Sequence, residues 1–424
     1  MDALLRATAA TLGIPARDVH TNLRTNLSDG GIDTQIDSGS DANCKGYLAG
    51  PTLWQFKARR FADVTPASVR DDIHGASKKD ARDLIARGYA YRLCICEDAA
   101  PPDKKALQDE LNKYVKEVNA SAPPALILLP SDLAALANQY PSIVARYVRL
   151  PVEKFRWYET WKRSAIGETP LFVPTEHYPD WAARVESHLD WSRKPTDVAL
   201  TLYGNAGVGK TRAVFEILDR EPNQRELVLY TNDEQAAIEI ATALTNNGTQ
   251  SAILVADECL SRARFQLSGI LRGNEHRVRL ITIDNALERT RTLEPELHIR
   301  GATEQETLKV LEANFDSVPL DRRIRYTQIA NGSLRFAVYM CRHDSEIQET
   351  GDLSSALRDA HSYYESRFSS LFGFDTKDRE ALEIVALVDR VGYRDDRAGE
   401  LDALCGLVGR DPRDTRERIE RIRK

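Results

Sequence analysis

Hydrophobic and polar residues alternate in TLWQFKARR, residues 52–60. On a β-strand this alternation places Trp54 and Phe56 on one face and Gln55 and Lys57 on the other. Two interpretations follow for the polar face. It is the solvated side of an ordinary sheet, or it gathers polar side chains for metal-dependent chemistry.

Strand-like and helical patterns alternate through residues 1–150. The predicted strands after a helical start are GIDTQID, LWQFKAR, YRLCICE and ALILLP. Helical spacing covers Ser68 to Gly88 and Lys104 to Ala120, and Ser131 is the predicted N-cap of a further helix. This alternation predicts an α/β domain.

The remainder of the chain predicts a second α/β domain followed by helices. A tryptophan-rich connector at 151–195 precedes the apolar strands VALTLY, ELVLY, AILVAD and VRLITI of a core at 196–300. Helices are predicted over 301–372, where Thr303 and Glu306 form a capping box, and helix-turn-helix rhythm over 373–424. We therefore predict a multidomain α/β protein.

Composition sets limits on the possible partners. A net charge of −6 over 424 residues gives no global case for nucleic-acid binding, so any DNA-contacting surface must be local. None of the six cysteines forms a CxxC pair, which argues against zinc. The chain shows no signal-peptide pattern and no run of about 18 apolar residues. We expect a cytoplasmic protein without a membrane segment.

GNAGVGKT fits the phosphate-binding pattern GxxxxGK[ST] between an apolar strand and a helix. Glycines let backbone N–H groups surround phosphates, and the helix N-terminus attracts anions. Lys210 is expected at the β- and γ-phosphates of ATP, and Thr211 on Mg²⁺. The predicted cofactor-binding residues of this loop are Gly204, Asn205, Gly207, Val208, Gly209, Lys210, Thr211 and Arg212.

An apolar strand ending in acids follows the loop. In SAILVADE, Asp257 is expected to hold the magnesium and Glu258 to polarise the attacking water. The next strand, VRLITIDN, offers Asp284 or Asn285 as a sensor of the γ-phosphate. Arg289 and Arg291 are further candidates for charge stabilisation.

With these motifs in place, residues 198–345 resemble the AAA+ and STAND branch of P-loop ATPases. ANGSLRFAVYM, residues 330–340, resembles the lid segment whose arginine touches the nucleotide, which implies that role for Arg335. Leu334 stands where many STAND proteins have proline. Residues 373–424 resemble part of a winged-helix domain, and we expect the chain to be the front part of a longer protein.

The N-terminal domain holds candidate nuclease residues. A phosphodiester nuclease needs a carboxylate and a second oxygen ligand for Mg²⁺, and a cation near the scissile phosphate. Asp33, the Gln55 oxygen and Lys57 supply these groups, with Asp33 and Gln55 as the expected metal ligands. Arg59 and Arg60 are expected to contact neighbouring phosphates.

DGGID followed by WQFKA resembles the Mrr-type restriction-endonuclease-like nucleases, a branch of the PD-(D/E)xK superfamily. The resemblance covers residues 1–150 and implies that Asp33, Gln55 and Lys57 are catalytic. Many such enzymes also carry a glutamate on the first helix, but no glutamate occurs before Glu97. Asp18 or Asp29 is the expected replacement.

Three functions are compatible with this order of domains. The order resembles antiviral STAND ATPases, which implies a Mg²⁺-dependent endonuclease that cleaves double-stranded DNA. That resemblance further implies activation by oligomerisation, with a tetramer as the active form, and a phage protein as trigger through a C-terminal sensor. The alternatives are a restriction-type ATP-driven motor-nuclease and a non-enzymatic DNA-binding module. The absence of helicase motifs beyond the P-loop pair disfavours the motor.

Overall fold

The computed structural model describes most of residues 1–345 and short parts of the remainder. The described residues are 1–22, 30–40, 46–148, 155–167, 169–193, 197–285, 295–345, 347, 377, 381, 401–402, 405–406 and 409–423. They divide into two compact units, Met1–Val338 and Tyr339–Lys424.

The first unit begins with a five-stranded mixed sheet. Its strands, in spatial order, are β1 (Val19–Thr21), β2 (Thr34–Ile36), β3 (Thr52–Lys57), β4 (Ala90–Ile95) and β5 (Leu126–Leu128). β1 to β3 are antiparallel neighbours, whereas β3, β4 and β5 run parallel. The helices around this sheet are α1 (Asp2–Thr11), α2 (Pro66–His74), α3 (Lys79–Ala86), α4 (Pro101–Val118), α5 (Pro130–Ala137) and α6 (Pro141–Val148). The α/β pattern predicted for residues 1–150 is thus observed.

Both faces of this sheet are covered. Trp54 is fully buried in the cluster that contains α1, while Leu53 lies in the opposite cluster with Val69 and Ile73 of α2. Gln55 shares the Leu53 face and is only 5% exposed. The solvated-face interpretation of TLWQFKARR is therefore wrong for Gln55.

The predicted N-cap at Ser131 is also wrong. The N-cap of helix α5 is two residues earlier, at Leu129, and the helix begins at Pro130. The Asp132 carboxylate accepts a 2.9 Å hydrogen bond from the Leu129 N–H. Proline at the first helical position fixes φ and lacks the N–H that would need a partner there, so the helix starts at Pro130.

The second sheet of the same unit has six strands. They are, in spatial order, β11 (Glu296–His298), β7 (Ala199–Tyr203), β10 (Val278–Asp284), β9 (Ala252–Ala256), β8 (Val228–Thr231) and β6 (Arg156–Trp157). β7 to β11 are parallel, and β6 is an antiparallel edge strand. The carboxyl ends of β7, β9 and β10 therefore meet at one edge of the sheet.

The remaining helices surround this sheet or follow it in the chain. They are α7 (Tyr158–Ile166), α8 (Tyr178–Leu189), α9 (Lys210–Asp219), α10 (Glu234–Asn246), α11 (Ser261–Leu271), α12 (Glu304–Asn314), α13 (Leu320–Ala330), α14 (Leu334–Arg342) and α15 (Pro412–Arg423). The Thr303–Glu306 capping box at the start of α12 is confirmed. Apart from α15 and isolated positions, the predicted winged-helix segment lies outside the described residues.

The connector packs on the second sheet, as its aromatic composition predicts. Trp161 of α7 is fully buried, stacks on Tyr230 at 4.7 Å between ring centroids, and meets Phe215 edge-on at 5.3 Å. Trp191 lies under the Arg279 guanidinium at 4.4 Å. These contacts fix the segment before β7 against the sheet.

The two sheets are joined by contacts to a 3-10 turn at Gln224–Leu227. Asn223, 2% exposed, donates to the Ile14 carbonyl at 3.0 Å and accepts from Arg6 at 3.3 Å. Arg146 of α6 forms a 3.0 Å ion pair with Glu226 in this turn. Because the turn follows α9, the N-terminal domain contacts the chain just beyond the carboxyl end of the helix that starts at Lys210. No helix among the described residues has the length and apolarity to cross a membrane.

Candidate functional site

The phosphate-binding loop connects β7 to α9 at the carboxyl edge of the second sheet. Gly204, Gly207 and Gly209 have φ angles of +147°, +82° and +98°. A Cβ on Gly204 would lie 2.2 Å from the carbonyl oxygen of Ile299, so a larger residue does not fit there. The strand–loop–helix context predicted for GNAGVGKT is confirmed.

Lys210 is buried at the first turn of α9 with its ammonium group turned back into the loop. Nζ donates to the carbonyls of Gly204 and Asn205, each at 2.7 Å. Burial lowers the pKa of Lys210 to about 8, and the charge of Arg335 adds to this, while Asp257 and Asp284 oppose it. A buried cation inside a glycine-rich loop is suited to bind phosphate.

Thr211 and Asp257 meet at the same edge. Asp257 Oδ2 accepts hydrogen bonds of 2.8 Å from the Thr211 hydroxyl and from the Tyr230 hydroxyl, and Oδ1 accepts from the Glu258 N–H at 2.9 Å. Burial raises the pKa of Asp257 against the lowering effect of its hydrogen bonds. The two predicted magnesium ligands are thus in direct contact. Tyr230 is a member of this site that the sequence did not indicate.

The residues next to Asp257 and β10 include the other predicted catalytic and sensor groups. Glu258 has φ of +56°, a left-handed conformation that is uncommon outside glycine and that clusters at functional sites. Asp284 is 3% exposed and lies 3.7 Å from Arg264, whereas Asn285 is exposed directly after β10. Arg289 and Arg291 lie outside the described residues.

The predicted lid arginine lies against the loop. The Arg335 backbone N–H donates to the carbonyl of Gly207 at 3.0 Å. A Cβ on Gly207 would lie 2.6 Å from Ser333 Oγ and 3.2 Å from Arg335 Cβ. The charge of Arg335 lowers the pKa values of Lys210 and Asp257, so its guanidinium acts on both groups.

Arg212 faces the connector. Its guanidinium donates to the Thr169 carbonyl at 2.7 Å and to the Ile166 carbonyl at 3.1 Å, and it pairs with Glu216 at 2.7 Å. These bonds hold α9 against the chain between α7 and α8. The structure thus gives the Arg212 side chain a connector contact, although the sequence placed it among the nucleotide-binding residues.

A second polar cluster lies in the N-terminal sheet, between β3 and α2. Lys57 Nζ is 2.5 Å from Asp72 Oδ1, and Gln55 Nε2 is 3.4 Å from the same oxygen. Tyr91 of β4 donates its hydroxyl to Gln55 Oε1. Asp72 is 4% exposed, and its Oδ2 is buried without a hydrogen-bond partner among the described residues. Gln55 and Lys57 are therefore brought together, around an acid that the sequence did not indicate.

Asp33 lies beside this cluster on the neighbouring strand. Its N–H donates to the Trp54 carbonyl at 2.9 Å, and its Oδ2 accepts from the Phe56 N–H at 2.6 Å. The carboxylate therefore lies along the backbone that links Gln55 to Lys57. Asp33 precedes β2 where predicted, and one of its oxygens caps the exposed end of β3.

The other charged candidates of this domain have different surroundings. Arg59 and Arg60 are exposed after the end of β3, and Arg60 pairs with Asp63 at 3.1 Å. Asp18 accepts a 2.6 Å hydrogen bond from the Ser38 hydroxyl. Asp29 lies outside the described residues. The structure thus places Asp72 against Gln55 and Lys57, and Asp18 against Ser38.

Both sites can be compared with the ions they are expected to bind. The glycine cradle, Lys210 and the Thr211–Asp257 pair are the donor set of a magnesium nucleotide and fit that group. In the N-terminal cluster, the orphaned Asp72 oxygen is a donor suited to a divalent cation. Within the described residues no group of three or more His, Cys, Asp or Glu side chains is arranged around one metal position. A cation site formed there by the described residues must therefore use fewer than three such side chains.

The loop, the strand order and the Thr211–Asp257 contact define residues 197–285 as a P-loop α/β domain. No family model and no curated protein matches the chain. Solved structures that resemble it include the Aeropyrum pernix Orc1 protein in complex with DNA, with 20% identity, a TM-score of 0.40, and coverage of 63% of this chain and 87% of that one.

Two further structures are Drosophila ORC bound to DNA and C. elegans PCH-2. The first has 15% identity, a TM-score of 0.33 and coverage of 60% of this chain and 80% of that one. The second has 12% identity, a TM-score of 0.31 and coverage of 42% and 64%. All three TM-scores are below 0.5, so the P-loop assignment depends on the motif and contacts described above.

Asp72 and Tyr230 are the site residues that the sequence did not reveal. Val69, Asp72 and Ile73 are the buried positions of α2, spaced as one helix face. In the sequence, an acid on the apolar face of the helix that follows QFK could have indicated that Asp72 belongs to the site. Tyr230 had no comparable signal, because a tyrosine within ELVLY is an ordinary strand residue.

Proposed function

We propose that the chain is a nucleotide-controlled, Mg²⁺-dependent DNA endonuclease of the STAND type. The observation that carries the proposal is the presence, in one compact unit, of the Lys210 and Thr211–Asp257 site and the buried Gln55–Lys57–Asp72 cluster. The first supports ATP binding and hydrolysis. The second, with Asp33 beside it, supports phosphodiester cleavage.

At the nucleotide site, each residue has a role that follows from its position. Lys210 exchanges its carbonyl contacts for the β- and γ-phosphates, and Thr211 and Asp257 hold the magnesium ion. That ion, when bound, neutralises charge on the phosphates. Glu258 orients the attacking water, and Arg335 contributes positive charge from the lid.

At the N-terminal site, Lys57 provides the cation closest to the scissile phosphate. Asp33 and the amide oxygen of Gln55 are the predicted ligands of a divalent cation, which supplies an activated water when bound. The Tyr91 hydroxyl fixes the orientation of the Gln55 amide. Arg59 and Arg60 are exposed after the end of β3, where Arg59 can approach neighbouring phosphates of a DNA duplex and Arg60 would have to exchange its ion pair with Asp63 for a phosphate.

Nucleotide control has a structural route. Helix α9 begins at Lys210, and the 3-10 turn that contacts Arg6, Ile14 and Arg146 follows its carboxyl end. A change at the phosphates is thereby connected to the N-terminal domain through one helix. An unregulated nuclease is toxic to its own cell. We therefore expect the protein to cleave DNA only after it has assembled.

The resemblance to antiviral STAND ATPases supports the biological part of the proposal. By this resemblance, a phage protein bound by a C-terminal sensor triggers assembly into a tetramer in the cytoplasm. Assembly pairs nuclease domains so that both strands of a double-stranded DNA are cut. Each of these steps is a proposal from the resemblance.

A supercoiled-plasmid assay tests the proposed function. The activated full-length protein with Mg²⁺ and ATP is expected to nick and linearise the plasmid. Lys57→Ala is expected to abolish cleavage, whereas Lys116→Ala, at an exposed position of α4, is expected to leave it unchanged. Cleavage that survives Lys57→Ala would refute the nuclease site. ATP turnover strongly raised by naked plasmid alone would favour the motor alternative.

A further inference from the structure

Helix α2 contributes a carboxylate to the face of the sheet that carries Gln55 and Lys57. The helix begins after Thr65, whose side chain caps it, and it packs through Val69 and Ile73 against the core. Asp72 lies between these apolar positions and is 4% exposed. A carboxylate buried to that extent is rare unless it has a partner or a function.

The partners of Asp72 satisfy only one side of its carboxylate. Lys57 Nζ at 2.5 Å and Gln55 Nε2 at 3.4 Å both approach Oδ1. Oδ2 is buried and accepts no hydrogen bond from the part of the chain that the structure describes. A buried carboxylate oxygen without a hydrogen bond is destabilising, so this arrangement is better explained by a ligand on Oδ2 than by stability of the fold.

The orientation of Gln55 decides which group is available for a cation. Its amide oxygen already accepts from Tyr91, and its amide nitrogen faces Asp72. The amide therefore bridges Tyr91 and Asp72. A neutral amide engaged in this way is a weaker ligand for a hard divalent cation than a carboxylate oxygen without a partner.

We propose that Asp72 is the second acidic ligand of a divalent-cation site in the N-terminal domain, with Gln55 acting as the residue that positions it. The cation binds through Asp72 Oδ2, and Lys57 remains on Oδ1. This inference deepens the proposed nuclease function and rests on it. It also accounts for an N-terminal segment without glutamate, because the acid comes from the helix after β3.

Manganese titration of the full-length, nucleotide-free protein tests this site directly, with free Mn²⁺ measured by electron paramagnetic resonance. Asp72→Asn keeps the shape of the side chain and is expected to weaken one Mn²⁺ site at least about tenfold. Asp71→Asn removes the same charge from the exposed neighbouring position and is expected to bind as the wild type does. Asp257→Asn reports any ion bound at the P-loop.

The outcomes of this titration separate the possibilities. Unchanged Mn²⁺ affinity in Asp72→Asn, or a loss confined to Asp257→Asn, would overturn the proposal. If Asp72→Asn does not fold, Gln55→Glu provides the second test, since it places a second carboxylate against Asp72. With a cation site, Gln55→Glu is expected to lower Tm without Mn²⁺ and to gain more from Mn²⁺ than the wild type. An equal Mn²⁺ response in both proteins would argue against the site.

Plasmid cleavage measured on the same proteins distinguishes failure of the cation site at Asp72 from failure of the proposed nuclease function. Wild-type cleavage together with full Mn²⁺ binding by Asp72→Asn would refute the role of Asp72 and leave the nuclease function standing. If Asp72→Asn loses Mn²⁺ binding and the wild type cuts no DNA, the cation site is supported and the nuclease function is refuted.

Discussion

Arg335 donates its backbone N–H to the carbonyl of Gly207, so the helical segment after the sheet is hydrogen-bonded directly to the phosphate-binding loop. The left-handed residues Asn331 and Gly332 end α13 and turn the chain toward this contact. A ligand that reshapes the loop must therefore also act on α14. The loop and the start of α14 respond together.

We predict that Gly207→Ala separates α14 from the loop. The new Cβ would lie 2.6 Å from Ser333 Oγ at a φ of +82°. Nucleotide affinity is expected to fall about tenfold or more, equivalent to about 1.4 kcal/mol. Titration with a fluorescent ATP analogue measures the change.

Gly273→Ala is the matched control for this prediction. Gly273 has a similar φ of +86°, but a Cβ there meets no atom of the described residues within 4 Å. Gly273→Ala therefore introduces a backbone strain of about 1–2 kcal/mol, as Gly207→Ala does, but no steric clash. Equal nucleotide affinity in the two variants would show that the contact with Ser333 is unimportant.

Lys210→Ala is expected to remove nucleotide binding. A charge-assisted hydrogen bond contributes about 1.5–3 kcal/mol, so the affinity for ATP should fall at least about tenfold. Isothermal titration calorimetry with ATP and Mg²⁺ checks this, with Lys162→Ala on the connector as control. Wild-type affinity in Lys210→Ala would mean that the loop does not bind the phosphates.

The pH dependence of stability offers an independent check on Lys210. Its pKa is about 8 in the folded chain and about 10.5 in the unfolded chain, so between these values the unfolded chain binds more protons. The stability of the wild type relative to Lys210→Met should therefore rise from pH 8 to pH 10.5, by up to about 3 kcal/mol. Thermal melts of both proteins across this range measure the difference. A flat difference would show that Lys210 is not buried as described.

The contact between the two sheets depends on Arg146 and Glu226. Burial raises the pKa of Glu226, and Arg146 and Arg225 oppose this effect. Arg146→Ala leaves that partly buried carboxylate with less compensation and should cost about 1–3 kcal/mol. Chemical denaturation measures the loss.

The double variant Arg146→Ala/Glu226→Gln tests the cause of that loss. Removing the charge of Glu226 should recover part of the stability, because the neutral amide needs no counter-charge. No recovery would mean that Arg146 acts through packing of its methylene groups alone.

The sequence patterns were most accurate for features that depend on residues close together in the chain. The Thr303–Glu306 box and the Gly204–Thr211 loop are local arrangements, and both are present as expected. The N-cap predicted at Ser131 was wrong, because the neighbouring Pro130 and Asp132 favour a helix that starts at Pro130. A helix boundary is set by a balance of small energies that a single residue type does not decide.

Contacts between distant segments were beyond the sequence pattern. Asp72 lies 15 residues beyond Lys57, and only the packing of α2 across β3 brings the two together. The assignment of Gln55 to a solvated or a functional face likewise depended on what covers the sheet. Tyr230 meets Asp257 because β8 and β9 are neighbours, which is a property of strand order.

The hydrogen bond from Asn223 to Ile14 limits which N-terminal domains could replace the present one in this chain. The amide is 2% exposed and is satisfied by the segment around α1, so a foreign N-terminal domain would leave it without partners. An exchange that retains residues 1–18 would keep those bonds. Residues 1–18 thus belong both to the core of the N-terminal sheet and to its contact with the second sheet, so a replacement domain must supply equivalents of Arg6 and Ile14.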